Sequence, residues 1–402
     1  MSNKKIMILG ASLLQVPAID KAIEMGLQVI VVDMNSEAIG FQKVGIEKEI
    51  ISTIDAKAVL EVAKKYQIDG IMTLATDMPV RSIALVAKKM GLAGISEKTA
   101  LQTTNKIAMR KALKKDNVPI PMFFEVSSMG DFFSAVDKIR ESGFKCIVKP
   151  ADNSGSRGVD LITDYDKDNL VNVFNYSKKY SRSGDLIVEE YMEGPEVSVE
   201  TLSVNNKCHV IQITDKITTG PPYFVEMGHS QPSQLPKDTL DTIKFLAQQA
   251  NKSVGIDSGP SHTEIKVTKD GPKIVELGAR LGGDNITTHL VPLSTGVDMV
   301  EKCIQIALGE TPIIQKQRDM ASIIRYFNTD EGQIKKISGI DNAKSIPGVK
   351  QVSVTIQEGT HISAMRSSVD RIGYIIAQAS TVVETEKICD KAISNINIEV
   401  MK

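Results

Sequence analysis

Four cysteines in 402 residues, with no C-x-x-C spacing, leave no basis for a disulfide framework or a cysteine-rich zinc site. Cys146, Cys208, Cys303 and Cys389 stand far apart, and the apolar surroundings of Cys146 and Cys303 fit buried thiols in a reducing compartment. A surplus of either charge is also missing: 48 basic residues meet 49 acidic ones, for a formal net charge of −1. That removes the global positive field used by proteins that bind nucleic acids or anionic membranes, so neither partner is expected. After Met-Ser-Asn-Lys-Lys, the apolar run at 6–9 is too short for a signal peptide or a membrane span, and a cytoplasmic location is expected. There is no tandem repeat, no low-complexity tract and no G-x-x-x-x-G-K-[ST] loop. A dinucleotide fingerprint is imitated by Gly10-Ala-Ser12 with Asp33 after the next strand, but it fails because Ser12 and Gln15 stand where glycines are needed.

The length is enough for two to four domains. Residues 1–93 alternate apolar strands (6–9, 29–32, 71–74) with helical patterns (to 25, 56–66, to 90), which predicts an open parallel α/β sheet. A second segment, 94–310, opens on Thr104-Asn105-Lys106 ahead of a helix and contains a smaller unit at about 118–190. A third segment, 311–402, has strand patterns at 321–327 and 352–357 and an amphipathic helix at 383–393, a small α+β unit.

The chemistry concentrates at 261–285. Two alternating runs flank Lys269-Asp270-Gly271, so an antiparallel hairpin centred near Asp270 is expected. Glu264 and Glu276 then lie at equal distances from the turn and face each other, with Arg280 further along the same face. Taken alone, such a face reads equally well as a solvated surface or as a metal and phosphate site. Gly282-Gly283 just beyond favours the site, because paired glycines let a backbone approach a ligand. Upstream, 150–159 carries Ser154, Gly155, Ser156 and Gly158 between Lys149 and Arg157, the composition of a phosphate cradle or of a mobile turn. The strand at 186–192 runs into Gly194-Pro195, a break that frees backbone groups for an adenine edge. A long Gly-, Pro- and Ser-rich stretch, 218–236, reads as a functional loop, and His229 within it is a candidate substrate contact.

Taken together, Asn105-Lys106, Val148-Lys149-Pro150, Ser154-Gly-Ser-Arg-Gly-Val159, Glu189-Glu-Tyr-Met192 with Gly194-Pro-Glu196, and Glu264 with Glu276-Leu-Gly-Ala-Arg280 resemble the ATP-grasp superfamily of carboxylate–amine ligases over nearly the whole chain. The resemblance implies an α/β ATP-grasp fold, with an N-terminal open parallel α/β domain and a small C-terminal α+β domain. It also implies that Lys106 and Lys149 contact nucleotide phosphates under the loop 154–158. Glu189, Glu190 and Met192 would frame the adenine and Glu196 the ribose. Glu264 and Glu276 would carry Mg²⁺, with Mn²⁺ as an alternative, and Arg280 would meet the transferred phosphoryl group or the substrate carboxylate. Many relatives read Glu-x-Asn-x-Arg in the last motif, whereas this chain has Gly278. The Gly-Ala-Arg form and Gly228-His-Ser-Gln-Pro232 look most like the amino-acid ligase branch, in which the matching His and Arg lie beside the substrate.

The function implied is ATP-dependent joining of a small carboxylate, an amino acid first, to an amine through an acylphosphate. Catalytic roles are expected for Arg280, Lys149 and His229. A glycinamide ribonucleotide synthetase is the alternative within the fold, and a non-catalytic ATP-binding regulator the alternative outside it. Relatives of this size are often homodimers.

Overall fold

A computed structural model describes residues 4–401. Its first sheet is parallel, in the order β3-β2-β1-β4, from β1 (Lys5–Leu9), β2 (Gln28–Asp33), β3 (Ile46–Ile50) and β4 (Gly70–Met72). β3 is absent from the sequence expectation. It alternates Ile46, Glu47, Lys48, Glu49 and Ile50 on a mostly exposed edge, so it lacks the apolar run that marks its neighbours. The glycine-poor turn after β1 is closed by its own residues. Gln15 fills the space a Cβ on Gly10 would need and donates from Nε2 to Leu74 O at 2.6 Å, while Asp33 Oδ2 accepts from Ala11 N at 2.8 Å.

A four-stranded antiparallel sheet, in the order β5-β8-β6-β7, follows, built from β5 (Phe123–Val126), β6 (Cys146–Pro150), β7 (Asp160–Ile162) and β8 (Leu186–Glu190). It has its own core, in which Phe132, Val136, Ile139 and Phe174 from two covering helices pack on Cys146, Val148 and Val188.

The largest sheet has eight strands, in the order β13-β12-β9-β10-β11-β14-β18-β16. Its first part comprises β9 (Glu196–Val204), β10 (Lys207–Thr218), β11 (Glu226–Gln231), β12 (Gly259–Thr268) and β13 (Gly271–Gly278). From the C-terminal segment come β14 (Ala321–Phe327), β16 (Val349–Val354) and β18 (Gly373–Ala379), while β15 (Gly332–Ser338), β17 (His361–Ile362) and β19 (Asn397–Met401) make a separate small sheet. β11 pairs with β14 in antiparallel register, so one sheet runs unbroken from the middle segment into the last.

β11 corrects the expectation of a long loop at 218–236. Glu226-Met-Gly-His-Ser-Gln231 is polar by composition, yet it is a central strand paired on both sides, and His229 is fully buried. Polar residues are tolerated there because Gln231 bonds Thr214 and Ser294, Glu226 pairs with Lys216 and His229 Nε2 faces Asp284. The first domain is joined to the large sheet by a continuous apolar core that includes Ile6, Ile8, Leu74, Leu202, Leu290 and Ile304. No helix of the described residues is long and apolar enough to cross a membrane.

Candidate functional site

The hairpin of β12 and β13 forms the floor of the site. Its turn is two residues, Lys269 and Asp270, with Thr268 paired to Gly271. A regular ladder from that turn would set Glu264 opposite Val275. The register slips between Glu264 and Ile265, leaving Val275 as the extra residue of a bulge, and Glu264 pairs with Glu276. The bulge also explains the burial pattern: Ile274 and Leu277, three apart, both enter the core below, while Glu276, Gly278 and Arg280 share the other face.

The Val275 carbonyl, turned out by the bulge, accepts from Arg110 Nη2 at 2.7 Å. Arg110 belongs to the helix Lys106–Lys115, which Asn105 caps by accepting from Ala108 N at 2.9 Å. Residues 106 and 110 are one helical turn apart and point the same way. Lys106 Nζ donates to Glu276 Oε1 and to Asn153 O, both at 2.8 Å. Arg110 Nε donates to Glu189 Oε1 at 2.6 Å, and Lys149 Nζ reaches Glu189 Oε2 at 2.9 Å. Burial pushes the Glu189 carboxyl up, but Arg110 and Lys149 outweigh it and hold the group down at about 2.

Around Glu264 the charges are equally dense. Lys216, on β10, donates to Glu196 Oε1 at 2.7 Å and to Glu264 Oε1 at 3.1 Å, and pairs with Glu226 Oε1 at 2.8 Å. Burial alone would lower the Lys216 pKa, yet these three carboxylates raise it well above the ordinary lysine value. His262 lies between two acids, with Nδ1 at 2.5 Å from Glu200 Oε1 and Nε2 at 3.5 Å from Glu264 Oε1. Burial opposes its charge, and Glu200 more than compensates, raising it to about 9. Each acid of this floor therefore has a cation of the protein against it.

His229 projects from β11 toward Asp284, with Nε2 at 3.4 Å from Asp284 Oδ2 and 3.9 Å from Glu226 Oε2. Its Nδ1 is buried and has no partner among the described residues. Asp284 is gripped by Arg371, whose Nη1 and Nη2 donate to its two oxygens at 2.7 and 2.8 Å. Arg371 also stacks on the Tyr326 ring at 3.7 Å and donates to Glu226 O at 3.0 Å. Ligand atoms of Glu226, His229 and Asp284 lie within 4.8 Å of one another. Lys216 lies on the Glu226 carboxylate and Arg371 on that of Asp284.

At the end of β8, Glu190 Oε1 accepts from Lys273 Nζ at 2.5 Å and its Oε2 from Met122 N at 3.2 Å. Met192 follows the end of β8, buried and outside any ladder, so its backbone groups are not spent on a neighbouring strand. Glu196 opens β9 and is shared by Lys216 and Lys266. The loop from Ser154 to Gly158 holds Gly155, Ser156 and Gly158 at φ of +68°, +55° and +77°. A Cβ on Gly158 would fall 2.7 Å from Tyr180 Cβ, so this position requires glycine on two counts.

Arg280 meets an acid from another domain. Its Nε donates to Asp77 Oδ1 at 3.0 Å and its Nη2 to Asp77 Oδ2 at 3.4 Å. Asp77, Arg81, Lys106, Asp152, Arg182 and Glu276 line one cavity of about 290 Å³ between the first domain and the hairpin. Asp77, Arg110, Glu200, Lys216, His262, Asp284 and Arg371 are all absent from the expected site. Arg110 is readable as one helical turn beyond Lys106, and Asp77 as an acid following a parallel strand, where open sheets bind ligands. The others carry no local signal.

Residues 142–288 match the ATP-grasp domain model, and residues 325–401 match L-amino acid ligase C-terminal domain 2. An L-arginine-specific L-amino acid ligase of Bacillus subtilis is 28% identical over 341 residues, spanning 79% of this chain and 76% of the relative. A phosphoribosylamine–glycine ligase of Methanocaldococcus jannaschii is 24% identical over 91% of this chain and 88% of its own length. Among solved structures, the L-amino acid ligase from Bacillus licheniformis superposes over the full length of both chains with a TM-score of 0.84 at 22% identity.

Proposed function

We propose, from the premise that this chain is an ATP-grasp carboxylate–amine ligase, that it activates an amino acid through its carboxylate and joins it to the amine of a second substrate. The observation that carries the reading is the Glu264–Glu276 pair with Arg280 on the same face, bordered by Lys106, Lys149 and Lys216. A substrate carboxylate oxygen attacks the γ-phosphorus of ATP, the bond to the β-phosphate oxygen breaks, and ADP leaves an acylphosphate. The amine nitrogen then attacks the acyl carbon, phosphate departs, and the nitrogen gives up a proton to complete the amide. No side-chain nucleophile is needed, so the work is positioning and charge neutralisation.

In this reading Lys106 and Lys149 exchange their carboxylate partners for ATP phosphates, and the loop 154–158 offers its backbone N–H groups above them. Met192 presents backbone groups to the adenine, framed by Glu189 and Glu190, and Glu196 receives the ribose hydroxyls. Arg280 binds the carboxylate being activated, while His229, Glu226 and Asp284 make the polar wall nearest the α-ammonium group. Mg²⁺, or Mn²⁺ in its place, would be held by Glu264 and Glu276. These two are oxygen donors on paired strands with side-chain exposures of 24% and 34%, and the ion would neutralise phosphate charge.

A phosphorylated amine substrate, as in the purine-pathway relative, is the second reading, because Arg81, Lys106 and Arg182 line the 290 Å³ cavity. Asp77, Asp152 and Glu276 line it too, so three acids match three bases and no net positive field selects a phosphate.

The test is ATP-dependent phosphate release over pairs of amino acids, with phosphoribosylamine plus glycine as the competing pair. Turnover with amino-acid pairs alone is expected, and turnover with phosphoribosylamine alone sinks the amino-acid reading. Glu276→Gln and Arg280→Ala should each lower ADP formation at least about 100-fold while the circular-dichroism spectrum stays that of the folded wild type.

A further inference from the structure

Gly278 stands between Glu276 and Arg280 on the face that carries the chemistry, and a regular strand would offer a side chain there. Its φ is unremarkable, so backbone conformation does not demand glycine. A Cβ built on Gly278 would sit 2.6 Å from Asp77 Oδ1, a distance real Cβ atoms essentially never show, and 3.4 Å from Arg280 Nε, so a side chain here requires the Asp77 carboxylate to move. The volume a side chain would take belongs to the Asp77 carboxylate.

Asp77 is brought there by backbone pairing across the domain boundary. Beyond β4, Leu74 forms a parallel bridge with Leu281, and Ala75 N donates to Leu281 O at 3.3 Å. Ala75 itself turns at φ +59°, which redirects the chain. Two residues later Asp77 meets the Arg280 guanidinium with both oxygens. Both side chains are mostly buried, with exposures of 16% for Arg280 and 17% for Asp77, so water does little to screen the pair.

We propose that Asp77 is a positioning residue for the transfer centre: it fixes the guanidinium of Arg280 toward the substrate, and Gly278 is the opening that admits it. The first domain thereby adds a charge to a site built around the β12–β13 hairpin. Positions 77 and 278 then act as one unit. A side chain at 278 expels Asp77, and removal of the carboxylate at 77 makes room for a side chain at 278. This rests on the ligase reading for the role of Arg280, but the pairing itself does not.

The experiment uses the full-length chain and the variants Asp77→Ala, Asp77→Glu, Gly278→Asn and the Asp77→Ala/Gly278→Asn double mutant. The arginine Nε–H NMR signal of Arg280, assigned by its loss in Arg280→Lys, reports the pair directly. It should be slow to exchange in the wild type, fast or lost in Asp77→Ala and Gly278→Asn, and restored in part by Asp77→Glu. With an amino-acid pair that the wild type turns over, Asp77→Ala and Gly278→Asn should each lower kcat at least tenfold. The dissociation constant for ATP should stay close to wild type. The double mutant should lose far less than the product of the two single losses, because the second change removes a contact already gone. An unchanged Arg280 signal in Asp77→Ala, a wild-type kcat in that variant, or fully multiplicative losses would overturn the proposal. Should the wild type turn over no amino-acid pair, the amino-acid reading fails while the Arg280 signal still decides the pairing.

Discussion

Glu189 is a buried carboxylate whose charge is balanced by the protein's own cations. It is buried between Arg110 and Lys149, and its pKa is held near 2, against the ordinary glutamate value near 4.5. A carboxyl whose native pKa is depressed stabilises the fold above its unfolded pKa and loses that contribution as pH falls toward the native one. Urea titrations should therefore show stability declining between about pH 4.5 and pH 2, with the decline reduced in Glu189→Gln. Arg110→Met removes one of the two cations and leaves Glu189 under-compensated. We expect a loss of about 3 kcal/mol at neutral pH, measured by the same titrations. Lys106, Lys149, Glu264, Glu276 and Arg280 were legible as site candidates because each sits in a short motif. Lys216 and His262 were not, because neither sits in a recognisable motif and the acids Glu196, Glu226 and Glu200 that they meet come from other strands.

At the level of elements, β11 and the residues around it tie the last segment of the chain to the site. Arg371 precedes β18 and comes from the part of the chain that matches the C-terminal domain model, yet it grips Asp284 and the carbonyl of Glu226. Its pKa is raised: burial disfavours the charge, and the bonds to Asp284 outweigh that cost. Arg371→Ala would leave Asp284 with His229 as its remaining close base. The expected outcomes are a melting temperature several degrees lower and a raised KM for the amino-acid substrate, with the dissociation constant for ATP unchanged. A variant whose KM and melting temperature both match the wild type would show that the grip on Asp284 serves neither role. The motif singles out His229, but its setting is a paired central strand and not a loop. Gly, Pro and Ser around it resemble a loop in composition, whereas the pairing of β11 with β10 and β14 is made by residues far away in sequence.

At the scale of the whole molecule, the eight-stranded sheet crosses the boundary expected near residue 310. A chain ending at residue 320 would lose β14, β16 and β18 and leave β11 as an open edge with its polar face uncovered. We expect that truncation to yield aggregated or protease-sensitive protein, read by gel filtration and limited proteolysis; a stable monomer would show that the segments fold independently. The unit formed by β5 to β8 differs, since it has a core of its own. Hydrogen exchange should find it opening separately from the large sheet, and ATP with Mg²⁺ should slow exchange in β6, β8 and the loop 154–158.

The sequence by itself determined the order of the motifs, the parallel first domain and the existence of the hairpin that carries Glu264 and Glu276, because alternation, turn composition and helix capping are local properties. It also marked Gly278 as the departure from the usual pattern. Only the tertiary structure decided what that departure means. Asp77 reaches the vacated position through a strand bridge between Leu74 and Leu281, residues more than two hundred positions apart in the chain. Likewise, the bulge at Val275, the burial of His229 and the grip of Arg371 on Asp284 depend on which strands become neighbours. Long-range pairing of that kind is set by the packing of the whole chain, and it leaves no spacing to read in the segments it joins.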